Sequence, residues 1–428
     1  MARFVIRWFA LTALLLLAVA AFNFVIDPYG IFRWVDKPAF NAVKPTATTR
    51  GGMAKAYGVF RELPAGLVLG NSRAEVGFDP RNPGWPKQAQ PAFNLSIAAT
   101  GPTTTLRYFQ HALAANGRPP STVVWGIDFM DFLVDAHSSR GPDAPTQEEQ
   151  RLLQSPAELR GLKHGLHQIK DAAESTLTLR ALLDSVQTVA ARRDPYAMDQ
   201  TALGFNPMHD YRKIAAEQGY WAIFRQKDLA YVQNFVRRPK SIFDASGRSS
   251  HELEAARTLL RLCRERGIAL HLVMYPYHAH FQEAFRIAGH WQAFDDWKRA
   301  VVRMVAEEAR AAHQPPFVVW DFTGFNEWTS EAIPPRGDRS TSMKWYWEAG
   351  HFKRELGDLV LDAVWNPDSV RSEFGLRIDQ SNIEAQIIKV RREEANYRQT
   401  HGPEIAELED MAIQARQALR NAPAKSGR

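Results

Sequence analysis

The chain has one cysteine, Cys263, among 428 residues. An internal disulfide is therefore excluded, and so is any metal site built on cysteine. Cys263 lies in Leu259-Leu260-Arg261-Leu262-Cys263, an amphipathic helical pattern, and reads as a small core residue. Internal repeats are missing. Clusters of Lys and Arg with interleaved aromatics are missing too, despite a net charge of +6, so no nucleic-acid groove is expected. Long apolar runs are scarce, and only one could cross a bilayer. With 45% hydrophobic and 23% charged residues, the balance is that of a globular protein with one large domain or two smaller ones.

The single long run is Trp8–Ile26, interrupted by Thr12 and Asn23 and by no charge. It is about long enough to span a membrane. Arg3 and Arg7 precede it and Asp27 follows, which favours a cytoplasmic amino terminus and an exported remainder. An uncleaved anchor over residues 1–28 is the expectation. The rival is a signal peptide cut near Ala18-Val19-Ala20.

Beyond a linker at 29–60, five short β-rich runs stand out: Gly66–Leu69, Phe93–Leu95, Thr122–Asp128, Ile268–Tyr275 and Phe317–Asp321. Helical patterns accompany them at Thr103–Ala115, Ser250–Arg266, Phe281–Ala312 and Gly350–Val364. This alternation predicts an α/β domain over 61–365, with helices on both faces of a parallel five-stranded sheet. Chemistry then gathers at the carboxyl ends of the strands. Residues 132–249, largely helical at Thr146–Arg192 and Tyr211–Val236, read as an insertion serving as a lid or substrate-binding subdomain. Within 366–428, Glu384–Arg420 reads as a charged, solvated or partner-binding helix, and Asn421–Arg428 as disordered.

Directly after the first run comes Gly70-Asn71-Ser72-Arg73-Ala74-Glu75-Val76. A serine at the end of a buried strand, where a helix opens, is placed as a nucleophile is placed in α/β hydrolytic folds. It needs a base and an orienting acid. His351, in Trp345-Tyr346-Trp347-Glu348-Ala349-Gly350-His351, has Glu348 three residues ahead, able to turn back onto Nδ1. Asp321, ending the fifth run, is the alternative acid.

These blocks resemble the SGNH, or GDSL-like, hydrolase superfamily. The resemblance rests on Gly70-Asn71-Ser72, on Asn94-Leu95-Ser96-Ile97-Ala98-Ala99-Thr100-Gly101, on Val123-Val124-Trp125-Gly126-Ile127-Asp128, and on Glu348-Ala349-Gly350-His351. It implies a three-layer, doubly wound, flavodoxin-like fold with Ser72 as nucleophile, His351 as base and Glu348 as orienting acid. It also implies an oxyanion hole from the N–H groups of Ser72 and of Ala99 or Gly101, with Asn94 in the second block. The family's third block ends in an asparagine donor, where this chain has Asp128. A carboxylate there would repel an oxyanion unless it is protonated or occupied elsewhere.

With the apolar amino terminus, the chain is similar to membrane-anchored SGNH-like proteins of bacterial envelopes. That implies a periplasmic domain on the inner membrane, an acylated polysaccharide substrate, a membrane acyltransferase partner, and no metal or cofactor. The alternative is a non-catalytic, glycan-binding scaffold in the same cleft.

Three further groups are candidates. Arg73 could bind an anionic sugar or pair with an acid such as Glu75. His278, with His280, could contact substrate, share a metal or be an ordinary loop histidine. Trp345, Tyr346 and Trp347 suit sugar stacking or core packing.

Overall fold

A computed structural model describes residues 1–421, apart from 136–143, 240, 245, 246, 248, 370 and 372. The expected disorder of Asn421–Arg428 lies outside the described residues, save Asn421. Helix α1 (Ala2–Ile26) is long and apolar enough to cross a membrane, a test that a signal sequence would also pass. Helix α2 (Gly51–Glu62) then leads into the α/β domain.

There, β1 (Gly66–Leu69), β2 (Ala92–Asn94), β3 (Thr122–Ile127), β4 (Ala269–Met274) and β5 (Val318–Asp321) form a parallel sheet. Each lies within a residue or two of an expected run, because β1 and β3 are apolar and buried along their whole length. The strand order is β2-β1-β3-β4-β5-β8, so the sheet has six strands where five were expected. The sixth, β8 (Leu376–Ile378), pairs antiparallel with β5. Leu376-Arg377-Ile378 alternates, but three residues are too few for a period-two pattern to register.

Helices α3 (Ser72–Gly77) and α4 (Pro102–Ala115) follow the first two strands. The interval between β3 and β4 holds α5 (Leu162–Thr176), α6 (Leu179–Ala191), α7 (His209–Gln218) and α8 (Tyr220–Arg237), then the sheet-packing α9 (His251–Glu265). Helices α5 and α6 pack against α1, whereas α8 packs against α10 (Ala279–Ala288). The single helix expected over Phe281–Ala312 is instead α10 and α11 (Trp291–Ala311). Gly289, at φ 89°, ends the first of them.

After β5, a two-stranded hairpin of β6 (Tyr346–Glu348) and β7 (His351–Phe352) precedes α12 (Arg354–Trp365). The tail forms two helices, α13 (Ile383–Thr400) and α14 (Gly402–Asn421). They are not a solvated arm. Ile387, Val390, Leu408 and Met411 are buried, and α14 packs on α8 and α10. Tertiary burial overrides a charge-rich pattern here.

Two glycines bring the serine helix and the histidine hairpin together. A side chain on Gly77 of α3 would sit 1.9 Å from the Phe352 ring, and one on Gly357 of α12 would sit 1.7 Å from the Gly77 carbonyl oxygen. Gly357→Ala should therefore force α12 away from α3, at a cost of about 3 kcal/mol. A lowered melting temperature, together with loss of active-site labelling at temperatures where the variant is still folded, would show that this contact sets the Ser72–His351 distance. Unchanged labelling of the folded variant would refute it.

Candidate active site

Strand β1 ends at Leu69, and Gly70 makes the turn at φ 141°. Only glycine suits it, because an added Cβ would lie 2.5 Å from the Tyr275 hydroxyl. Asn71 caps α3: its Oδ1 accepts from the Arg73 N–H at 3.0 Å. Ser72 is thereby the first helical residue and half-buried.

The Ser72 hydroxyl donates to His351 Nε2 at 2.8 Å. On the other side of the ring, Nδ1–H donates to Glu348 Oε1. Glu348 is fully buried and accepts two further bonds, from the Tyr231 hydroxyl at 3.0 Å and from the Gly350 N–H at 2.8 Å. Burial pushes its carboxyl upward. The charge and hydrogen bond of His351, the Gly350 N–H and the Lys227 charge outweigh that and hold it below the usual carboxylate range. The three side chains form one hydrogen-bonded line of serine, histidine and glutamate. Asp321, the alternative acid, is taken by Lys298 at 2.9 Å and by Thr323.

Tyr231, on α8, had no distinguishing mark in sequence. It lies in an ordinary helical period, 117 residues from Glu348. Gly350 is matched to it, since a Cβ there would fall 2.3 Å from the Tyr231 hydroxyl oxygen.

Asp128 does not line an oxyanion hole. Its Oδ1 accepts from the Met130 N–H and the Tyr277 hydroxyl, both at 3.0 Å. Its Oδ2 accepts from Asn71 Nδ2 at 2.8 Å and from the Arg73 guanidinium. Four donors use its acceptor sites within the core. Arg73 is correspondingly not a substrate ligand. It is buried on Asp128, with the Phe281 ring 4.5 Å away, while Glu75 pairs with Lys55 at 2.8 Å. Beside them, burial and the charge of Asp128 push the Asp131 carboxyl well above the usual range.

Asn94 ties down the end of α3, donating to the carbonyls of Ala74 at 2.8 Å and Phe78 at 2.9 Å, and is fully buried. Ala99 is exposed at φ 58°, in the loop between β2 and α4. Gly101 caps α4 and shares a small cavity with Asn71 and Asp128. His278 is buried at 1% exposure, and both ring nitrogens are used: Nδ1 caps α10 and Nε2–H donates to the Glu331 carbonyl at 2.9 Å. It touches no open surface. His280 donates to Asp228 at 2.8 Å, and no group of metal-ligating side chains occurs among the described residues. Tyr346 and Trp347 are buried, and Trp345 is half-buried.

A cleft of about 650 Å³ flanks the hairpin. Trp347, one residue before Glu348, lines it, as do Lys353, two residues after His351, and Val76, one turn along α3 from Ser72. Its wall is basic, with His209, Arg212, Arg339 and Lys344 contributing. None of Arg212, Arg339, Lys344 and Lys353 forms an ion pair among the described residues, and Glu355 is the one acid among the described lining residues.

No protein-family model matches the chain, and no curated protein or solved structure proved similar to it.

Tyr231→Phe removes one donor from the buried carboxylate, so acylation of Ser72 should slow about tenfold. Glu348→Gln should slow it by roughly a thousandfold, because the amide can no longer hold the required tautomer. The rate of covalent labelling by a fluorophosphonate measures both. Equal rates in all three proteins would show that the acid is a packing residue.

Proposed function

We propose that this chain is an exported, membrane-anchored serine esterase or O-acyltransferase of SGNH-like type, acting on acyl groups of an envelope or secreted polysaccharide. The observation that carries the reading is the Ser72–His351–Glu348 line, with a proton acceptor 2.8 Å from the hydroxyl. In this mechanism Ser72 Oγ attacks the acyl carbonyl carbon while His351 Nε2 takes its proton. Glu348 holds Nδ1–H and stabilises the imidazolium. Collapse of the tetrahedral intermediate breaks the ester C–O bond, and His351 returns the proton to the leaving alcohol. Water or a sugar hydroxyl then attacks the acyl-enzyme, giving hydrolysis or transfer.

Asp128 is already saturated, so the oxyanion falls to backbone donors: the N–H of Ser72 with that of Ala99 or Gly101. The basic cleft, lined by Val76, Trp347 and Lys353 from the elements that carry the triad and not by the triad itself, suggests the substrate. Its unpaired cations would attract an anionic glycan, one carrying carboxylate, sulfate or phosphate groups. The apolar α1, with Arg3 and Arg7 in its first two turns, supports an anchor in the bacterial inner membrane with the site outside it.

A fluorophosphonate should label the native protein covalently and leave Ser72→Ala unlabelled. Absence of labelling, with acetyl-ester turnover no better than in Ser72→Ala, would overturn the enzymatic reading in favour of a glycan-binding scaffold. For the cleft, Arg339→Glu with Lys344→Glu should raise KM at least about tenfold more for an acidic acyl-glycan than for a small neutral ester. Added salt should narrow the gap. An equal effect on both substrates would refute an anionic substrate.

A further inference from the structure

Helices α5 and α6 are amphipathic the wrong way round for water. The residues buried on α5 are His164, Asp171 and Ser175. Those buried on α6 are Ala181, Asp184, Ser185 and Thr188. The exposed faces carry the hydrocarbon instead. Leu162, Leu166 and Ile169 are 81%, 57% and 68% exposed, and Leu179, Leu183 and Val186 are 72%, 59% and 53% exposed. Each trio follows the i, i+4, i+7 spacing of one helix face. Leu177, in the turn between the helices, is also exposed. Single exposed leucines need no explanation, but two aligned stripes over a polar interior do.

The two buried carboxylates are engaged, so the inversion is built into the fold. Asp171 accepts from the Tyr57 hydroxyl at 2.9 Å and from Arg151 at 2.8 Å. Asp184 accepts from the Tyr29 hydroxyl at 2.8 Å. Turning either helix over would strip these carboxylates of their donors.

The location says what covers the stripes. Helix α1 packs directly against both helices. The Asn23 side chain donates to the Thr176 carbonyl, at the end of α5, at 2.8 Å. Asn23 lies three residues before the end of α1, about 5 Å along its axis. The turn that joins the two stripes is therefore fixed beside the last turn of the apolar helix. Exposed cations border the stripes: Lys163, Lys170, Arg180, Arg192 and Arg193. Apolar stripes edged by cations suit the headgroup region of an anionic bilayer.

We propose that the α5–α6 hairpin is a lipid-embedded foot, with its two apolar stripes in the outer part of the bilayer that α1 spans. This rests on reading α1 as a retained anchor. It extends the role of the insertion from covering the site to seating the whole domain on the membrane.

The test uses the full chain reconstituted in vesicles of zwitterionic and anionic phospholipid. With Cys263→Ser as background, single cysteines at Leu166, Leu183 and Val186 are labelled with an environment-sensitive fluorophore. A cysteine at Ile413, exposed on α14, serves as the control. Lipids carrying a quencher on the acyl chain should quench the three hairpin labels at least about twofold and leave the Ile413 label unaffected. Hairpin labels no more quenched than Ile413, in a chain whose intact mass retains α1, would overturn the proposal and leave the anchor standing. Disulfide cross-linking between hairpins of two copies without quenching would also overturn it, giving the stripes to a second chain. An intact mass showing a chain that begins after Ile26 would overturn the anchor reading and the foot with it.

Discussion

The buried pairing of Arg73 with Asp128 is the constraint on which the site depends. Arg73 directly follows the serine and lies in the core, where an uncompensated guanidinium would cost several kcal/mol. Asp128 compensates it from the end of the neighbouring strand, and the same oxygen accepts from Asn71. Residues on both sides of Ser72 are thus fixed to one carboxylate. The cap on Arg73 N–H closes the loop, because it comes from that same Asn71. Ser72 is left as the one residue of Asn71-Ser72-Arg73 whose side chain is free to face His351.

The same pairing explains why an acid can stand at a strand end where the resemblance leads one to expect an asparagine. An asparagine there could offer two N–H donors to an oxyanion, but it could not neutralise Arg73. Once arginine follows the serine, the position must carry charge. In the proposed mechanism the oxyanion is then met by backbone donors, which are indifferent to the identity of residue 128. Asp131 supports this arrangement. Two carboxylates beside one guanidinium cannot both ionise cheaply, and it is Asp131 whose proton affinity is raised.

Legibility in sequence followed the range of the interaction. The buried strands could be read because their apolar residues are contiguous. Glu348 and His351 could be read as a pair because three residues separate them, and Ser72 because a strand end and a helix start meet there. The failures are non-local. Nothing local to Tyr231 shows that its hydroxyl reaches Glu348, and nothing local to Asp128 shows Arg73, 55 residues away. His278 read as a rim residue because it follows β4, but the helix it caps folds back and buries it. The tail read as solvated because its charges are conspicuous. Those charges are spent on ion pairs with the domain, such as Arg398 with Glu283 at 2.6 Å, while its apolar residues close the core. The strand β8 was too short for any pattern to register.

The connection between anchor and nucleophile is the last consequence of these pairings. From α1, Asn23 bonds the end of α5. From α5, Asp171 bonds Tyr57 of α2. Two residues before Tyr57 on α2, Lys55 is fully buried and pairs with Glu75 of α3, three residues from Ser72. Burial lowers the proton affinity of Lys55, and Glu75 restores part of it, so neither partner is easily replaced alone. A flexible tether after a membrane span would let a domain sample every height above the bilayer. Here the path from span to serine runs through packed helices and buried polar contacts, so the height of Ser72 is set by the fold. Under the proposed function, a site held in that way would meet polymer at one height above the bilayer, which suits modification of a glycan close to the membrane.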